Sequence, residues 1–178
     1  MEEIIKILEL GNSEKKIKIL ETLHNTNELK ILEQIILRLN DDSIQVRGEA
    51  FNALLLNQNQ ISKILIDNLS SPNKNIRGFT SLVLANRNER SAIPEIIKLV
   101  EDKHGAVRSC AIGALGYLKA KKITGIILKL LSDSNLEVQK SALQAAIQTD
   151  IIVSPDKIKE IEKSADPQIK NLLLKLKK

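Results

Sequence analysis

Few side chains in this sequence could act as nucleophiles, general bases or metal ligands. The chain has one cysteine, Cys110, and two histidines, His24 and His104. Cys110 stands among Ala and Gly with no His near it in sequence, a pattern that favours a small packing residue over a thiolate nucleophile. One Cys and two separate His also exclude a multi-cysteine zinc or iron–sulfur site. We therefore expect no enzymatic activity, no resident cofactor and no metal.

Charge is the second feature that could carry function. Residues 1–89 contain 11 basic and 12 acidic side chains, whereas residues 90–178 contain 16 basic and 10 acidic ones. This Lys-rich C-terminal half makes nucleic-acid binding the alternative function. Against it, lysines spread along amphipathic helices are typical of a solvated face, and aromatic side chains for base stacking are nearly absent. The excess basic residues are Lys119, Lys121, Lys122, Lys129, Lys140, Lys157, Lys159, Lys163, Lys170, Lys175, Lys177 and Lys178.

An internal repeat organises the chain. A β-branched residue, here named the anchor, recurs in similar surroundings at intervals of 30, 31, 31 and 31 residues. A weaker copy precedes these at Ile17. With 43% hydrophobic residues in 178, there is enough apolar surface for a folded array rather than a disordered chain. The five clear anchors are Val46, Ile76, Val107, Val138 and Ile169.

Each repeat is predicted to form two helices. After the anchor Val46, small or apolar residues follow at Ala50, Ala53 and Leu54, the spacing of one helix face. Three residues before the anchors stand Ser43, Asn73, His104, Asn135 and Asp166, four of which are good N-caps. No strand pattern appears. The prediction is an all-α fold of about six helix pairs in one domain over residues 1–178, with units at 1–25, 26–57, 58–88, 89–119, 120–150 and 151–178.

These units resemble HEAT repeats of the short, phycobilisome-lyase-like kind. The resemblance rests on an acid, an N-cap and Val-Arg-x-x-Ala, present as Asp41…Val46-Arg47…Ala50 and as Asp102…Val107-Arg108…Ala111. The Ile76 copy has Ser71 in place of the acid and Thr80 in place of Ala, and the Val138 copy has Gln139 in place of Arg. The Ile169 copy has Ser164 in place of the acid and Lys170 in place of Arg. The resemblance implies a right-handed superhelix whose second helices line the concave side. It also implies an Asp–Arg ladder between repeats, formed here by Asp41, Asp102 and Asp133 with Arg47, Arg77 and Arg108.

Catalytic relatives of this fold family place further demands on the sequence. Metal-dependent hydroxylases of the fold use His-Glu pairs, but His24 precedes Asn25 and His104 precedes Gly105. A phycobilin-lyase-like subunit is the remaining enzymatic alternative, and Cys110 would be its only candidate nucleophile. The resemblance therefore favours a non-enzymatic scaffold or adaptor.

The concave face is where a partner is expected to bind. Positions three, six and ten after each anchor should turn away from the core, and the larger ones in the middle repeats suggest a groove for a protein or peptide segment. Register drift along a curved array would instead turn Phe79 and Leu82 into the core, and this second interpretation stays open. The predicted contacts are Phe79, Leu82, Asn86, Tyr117, Gln144 and Gln148.

The sequence also bears on the compartment. Glu2, Glu3, Lys6 and Glu9 interrupt the first ten residues, unlike a signal peptide, and no stretch approaches the ~18 apolar residues of a membrane span. We expect a cytoplasmic protein with no membrane partner and a reduced thiol.

Overall fold

A computed structural model describes residues 1–163 and 165–176, which form twelve α-helices and no strand. The twelve helices fall into six consecutive pairs, so the prediction of an all-α fold of helix pairs is confirmed. The chain separates into two compact units, residues 1–87 and residues 88–178. That all 178 residues form one domain stays a prediction. Ser164, Lys177 and Lys178, which entered the sequence argument, lie outside the described residues.

The first unit contains three helix pairs. Helices of neighbouring pairs pack on their counterparts, α1 on α3, α2 on α4 and α4 on α6. A 3₁₀ turn at Asn68–Ser70 extends the short α5. The helices are α1 (Glu2–Leu10), α2 (Ser13–Leu20), α3 (Leu29–Arg38), α4 (Ile44–Leu56), α5 (Ser62–Asp67) and α6 (Lys74–Asn86).

The second unit repeats the arrangement. Its most extensive helix contact joins α8 to α10, and α10 in turn packs on α12. Two 3₁₀ turns, Arg90–Ala92 and Leu99–Glu101, flank α7. The helices are α7 (Ile93–Lys98), α8 (Gly105–Tyr117), α9 (Thr124–Leu130), α10 (Leu136–Gln148), α11 (Pro155–Glu162) and α12 (Pro167–Leu176).

The anchors and the small residues that follow them form the core side of the second helices. All five clear anchors are buried, and Ala50, Ala111 and Ala142 are completely inaccessible. The N-terminal copy is weaker in the structure as well, because its anchor Ile17 is only half-buried. Alanine at these positions lets helices approach closely, which a larger residue would prevent.

The helix starts follow the N-cap prediction. Asn73 Oδ1 accepts from the backbone N–H of Asn75 at 2.9 Å, and Asn135 Oδ1 accepts from that of Glu137 at 3.0 Å. Asp166 Oδ1 accepts from Ile169 N at 2.8 Å. Ser43 Oγ accepts from Val46 N at 3.4 Å, whereas His104 makes no side-chain cap on α8. Side-chain oxygens at these positions satisfy N–H groups that a helix start leaves without a partner.

Candidate functional site: an apolar groove between helices α4 and α6

An apolar groove lies between the second helices of two neighbouring pairs in the first unit. Its volume is about 450 Å³. Helix α4 contributes Ile44, Arg47, Gly48, Phe51 and Asn52, and α6 contributes Phe79 and Leu82. Both phenylalanines of the chain line this groove.

The groove is formed by the faces of α4 and α6 that do not point into the core. The anchors and the Ala stripe turn into the core, which leaves the groove side chains at the surface. Ile44 is 72% exposed, and Phe79 and Leu82 are half-buried. Phe79 and Leu82 are therefore not among the fully buried core residues, and their contact with a partner stays a prediction. At Gly48 no atom other than the adjoining backbone of its own helix lies within 4 Å of the position that a Cβ would occupy, so the space there is open.

Arg47 lies at the groove and is held by its own turn. Its Nη1 donates to Asp41 O at 2.6 Å and to Asp42 O at 3.1 Å. The residue after the anchor makes the equivalent bond in three later repeats. Arg77 Nη1 donates to Ser71 O at 2.8 Å, Arg108 Nη1 to Asp102 O at 2.8 Å, and Gln139 Nε2 to Asp133 O at 2.6 Å. A backbone carbonyl six residues earlier is thus the shared acceptor.

The expected Asp–Arg ladder differs from turn to turn. Arg108 donates through Nε and Nη2 to both carboxylate oxygens of Asp133. Asp41 instead accepts from Lys16 Nζ at 2.7 Å, with Arg38 Nη1 3.9 Å away. Within residues 1–163 and 165–176, Arg47 pairs with no carboxylate, because Ser71 stands where the next turn would supply one. The implied ion pair between Arg47 and an Asp of a neighbouring repeat is therefore wrong.

The four remaining predicted contacts lie in different surroundings. Asn86 is exposed, and its Nδ2 donates to Leu82 O at 2.8 Å. In the second unit Tyr117 is 55% exposed at the end of α8, and Gln144 lines a groove between α10 and α12. Gln148 is turned inward instead, since a Cβ on Gly116 would come within 2.5 Å of its Oε1. That oxygen is buried and is not available to a partner at the surface. The prediction of Gln148 as a surface contact is therefore wrong for the side-chain oxygen.

The sequence argument did not identify Ile44, Gly48 and Phe51 as groove residues. They lie two residues before and two and five residues after the anchor Val46, on one face of α4 but outside the positions three, six and ten after the anchor that the sequence argument selected. The groove needs two helices side by side, so the pattern of one helix could not reveal it. The available signal was compositional, because Phe51 and Phe79 are the only two phenylalanines in the chain.

The surroundings of Cys110 disfavour its thiolate form. Burial raises its pKa to about 11, so the thiol is protonated at neutral pH. Among residues 1–163 and 165–176, no three His, Cys, Asp or Glu side chains come together to hold a metal ion. None of the helices within these ranges combines the length and hydrophobicity of a bilayer-crossing helix.

The C-terminal lysines are partly neutralised. Lys129 pairs with Glu101 at 2.7 Å, Lys157 with Glu160 at 2.9 Å, and Lys140 with both Glu137 and Asp166 at 2.9 Å. Lys119, Lys121 and Lys122 are exposed in the turn between α8 and α9. The basic surface of the second unit is therefore less continuous than the lysine count suggests.

Comparison with known proteins agrees with the repeat. The family model for HEAT repeats matches residues 62–146. An uncharacterized phycocyanin operon protein Z from Pseudanabaena tenuis is 27% identical over 88 residues, which is 49% of this chain. The matched region spans 43% of that relative's length, less than half of it.

Solved structures resemble the whole chain in fold. An engineered protein has a TM-score of 0.56 at 17% identity, covering 98% of this chain and 94% of its own. A designed armadillo repeat protein in complex with the peptide (KR)4 has a TM-score of 0.54 at 16% identity, covering 98% and 96%. The resemblance read from the anchors is confirmed: the family model for HEAT repeats matches residues 62–146, and the structural neighbours are helical repeat proteins.

Proposed function

We propose that this protein is a non-enzymatic scaffold or adaptor that binds a segment of a partner protein on its second helices. The observation that carries the proposal is the apolar groove between α4 and α6. Bulky side chains line it, yet the core does not use them. Apolar surface gathered in one concave place is typical of binding sites.

The composition of the groove supports a peptide as the occupant. Phe51 and Phe79 provide large, rigid contact areas, and Asn52 supplies a polar group at the same surface. Aromatic anchors surrounded by polar groups are typical of interface hot spots. The designed armadillo neighbour is in complex with a peptide, which supports peptide binding by analogy of fold only.

The alternatives have less support. Ion pairs occupy Lys129, Lys140 and Lys157, which weakens the case for nucleic-acid binding. The raised pKa of Cys110 weakens the case for a lyase-like subunit. Tyr117 and Gln144 stay predicted partner contacts within the second unit.

The test is a selection of random 12-residue peptides against the wild type, followed by affinity measurements on amidated synthetic peptides. Gly48→Leu would place a bulky side chain on the groove lining, and its Cβ would meet open space. Gly125→Leu is the matched control, since Gly125 on the first helix α9 is equally unobstructed. We expect selected peptides to lose binding to Gly48→Leu at least tenfold and to bind Gly125→Leu as they bind the wild type.

Two results would overturn the proposal. The selection could yield no peptide that distinguishes Gly48→Leu from Gly125→Leu. Alternatively, a labelled single-stranded oligonucleotide could bind tightly with a steep salt dependence while Gly48→Leu and Phe79→Ala leave its affinity unchanged, which would favour the nucleic-acid function.

A further inference from the structure

Arg47 and Arg108 occupy the same repeat position but differ in their partners. Each follows its anchor, and each donates through Nη1 to the backbone carbonyl six residues earlier. Arg108 uses its remaining edge, Nε and Nη2, to hold the Asp133 carboxylate at 2.8 and 2.7 Å. In Arg47 the same edge has no hydrogen-bond partner among the residues that the structure describes.

The reason lies in the following turn. The acid of a repeat has two roles, because Asp133 also accepts from the backbone N–H of Asn135 at 2.8 Å. Ser71 occupies the equivalent position and keeps that second role, its Oγ accepting from Asn73 N at 3.3 Å. A hydroxyl satisfies the turn but offers no carboxylate to the preceding repeat. Arg47 therefore keeps its anchoring bond and an unused pair of donors.

The residue that carries the unused donors lines an apolar groove. Arg47 lines the groove together with Phe51 and Phe79, and no Asp or Glu is part of the lining. The groove lining thus carries one positive side chain and no negative one. A guanidinium edge binds a carboxylate through two parallel hydrogen bonds, and apolar surroundings strengthen such a pair by excluding water.

We propose that the groove binds a partner segment in which an Asp or Glu side chain stands next to a bulky apolar residue. The carboxylate accepts from Nε and Nη2 of Arg47, as Asp133 does from Arg108, and the apolar side chain packs between Phe51 and Phe79. This inference rests on the proposed function and specifies the chemistry of its partner. The carboxylate belongs to a side chain rather than to a chain terminus.

The chain itself suggests the test variant. Gln139 stands at the position equivalent to Arg47 and still donates to its own turn, with Nε2 2.6 Å from Asp133 O. Arg47→Gln should therefore keep the turn bond to Asp41 O while removing the guanidinium edge. Arg47→Glu reverses the charge and is used in the peptide selection, not in the affinity measurements.

The experiment applies the same amidated peptides to wild type, Arg47→Gln and Arg47→Glu. We expect selection on wild type to enrich Asp or Glu beside Leu, Ile, Phe or Met, and selection on Arg47→Glu to enrich Lys or Arg instead. Replacing the Asp or Glu side chain of the peptide by Asn or Gln should weaken binding to wild type about 10- to 100-fold. The same replacement should leave binding to Arg47→Gln unchanged.

The outcomes separate the two proposals. Peptides that lose binding to Gly48→Leu but show no carboxylate preference, and bind Arg47→Gln as tightly as wild type, would overturn the acidic partner and leave the scaffold function standing. Absence of any peptide sensitive to Gly48→Leu would overturn both. Circular dichroism of Arg47→Gln, expected to match the wild type in unfolding midpoint, separates lost recognition from lost folding.

Discussion

Arg108 and Asp133 are joined by two parallel hydrogen bonds, Nε to Oδ2 at 2.8 Å and Nη2 to Oδ1 at 2.7 Å, across consecutive repeats of the second unit. Only 16% of the Arg108 side chain and 8% of the Asp133 side chain are exposed. The pair also fixes the turn before α10, since Asp133 accepts from Asn135 N. One carboxylate therefore connects the stacking of two repeats to the start of a helix.

The Arg108–Asp133 pair should make the free energy of unfolding depend on pH. The hydrogen bond from Arg108 lowers the pKa of Asp133, with burial opposing the shift. A lowered folded-state pKa means that the pair stabilises above the unfolded pKa of about 4, and that the contribution is lost as pH falls through the folded value. We expect Asp133→Asn to lower the free energy of unfolding by about 1.5–3 kcal/mol at pH 7, and by much less near pH 2.

Urea titrations followed by circular dichroism at both pH values provide the measurement. Glu95→Gln is the control, because Glu95 forms an exposed pair with Lys98 on one helix and should change stability by less than about 0.5 kcal/mol. An equal loss for Asp133→Asn at both pH values would contradict the ionic origin of the effect.

Two glycines should respond in opposite directions to alanine. Gly48 has open space where a Cβ would stand, so Gly48→Ala should stabilise α4 by about 0.5–1 kcal/mol. A Cβ on Gly116 would lie 2.8 Å from Ala145 Cα, which is backbone and cannot turn away. Gly116→Ala should destabilise the contact of α8 and α10 by about 1–3 kcal/mol. Thermal unfolding midpoints that move in the same direction for both variants would contradict this packing.

Cys110 should be slow to react in the folded protein. Burial raises its thiol pKa to about 11, so little thiolate exists at pH 8. We expect Ellman's reagent to modify the native protein at least tenfold more slowly than the protein in urea, where the pKa returns to about 8.5. Fast modification of the native protein at pH 7 would revive the lyase-like alternative.

Peptide binding should depend only moderately on salt. Binding in an apolar groove with one charge contact involves little counterion release. Raising NaCl from 50 to 500 mM should therefore weaken the binding of a selected peptide by less than about tenfold. Oligonucleotide binding through several lysines would fall far more steeply over the same range. Fluorescence anisotropy with both probes, on wild type and on Phe79→Ala, compares the two modes directly.

The features that the sequence predicted are those set by local spacing. Anchors, the Ala stripe and N-caps such as Asn73 and Asn135 depend on residues within one helix or turn, so periodicity was sufficient. The groove depends on which faces of α4 and α6 meet, and Phe51 falls outside the positions that were counted from the anchor. Gln148 turned inward because Gly116 on another helix leaves room for it. Such pairings arise only when the repeats are stacked.

In a stacked array the role of a side chain is decided partly by the repeat that follows it. Arg47 equals Arg108 in type, in register and in its bond to its own turn; the difference between them is a hydroxyl at Ser71, twenty-four residues away. The occupancy of the Arg47 donors can therefore be changed without altering any residue of the groove. A carboxylate introduced by Ser71→Asp would engage Arg47 internally, adding stability while removing the groove's preference for acidic segments. Recognition in this fold can thus be lost or gained at a turn that the ligand never contacts.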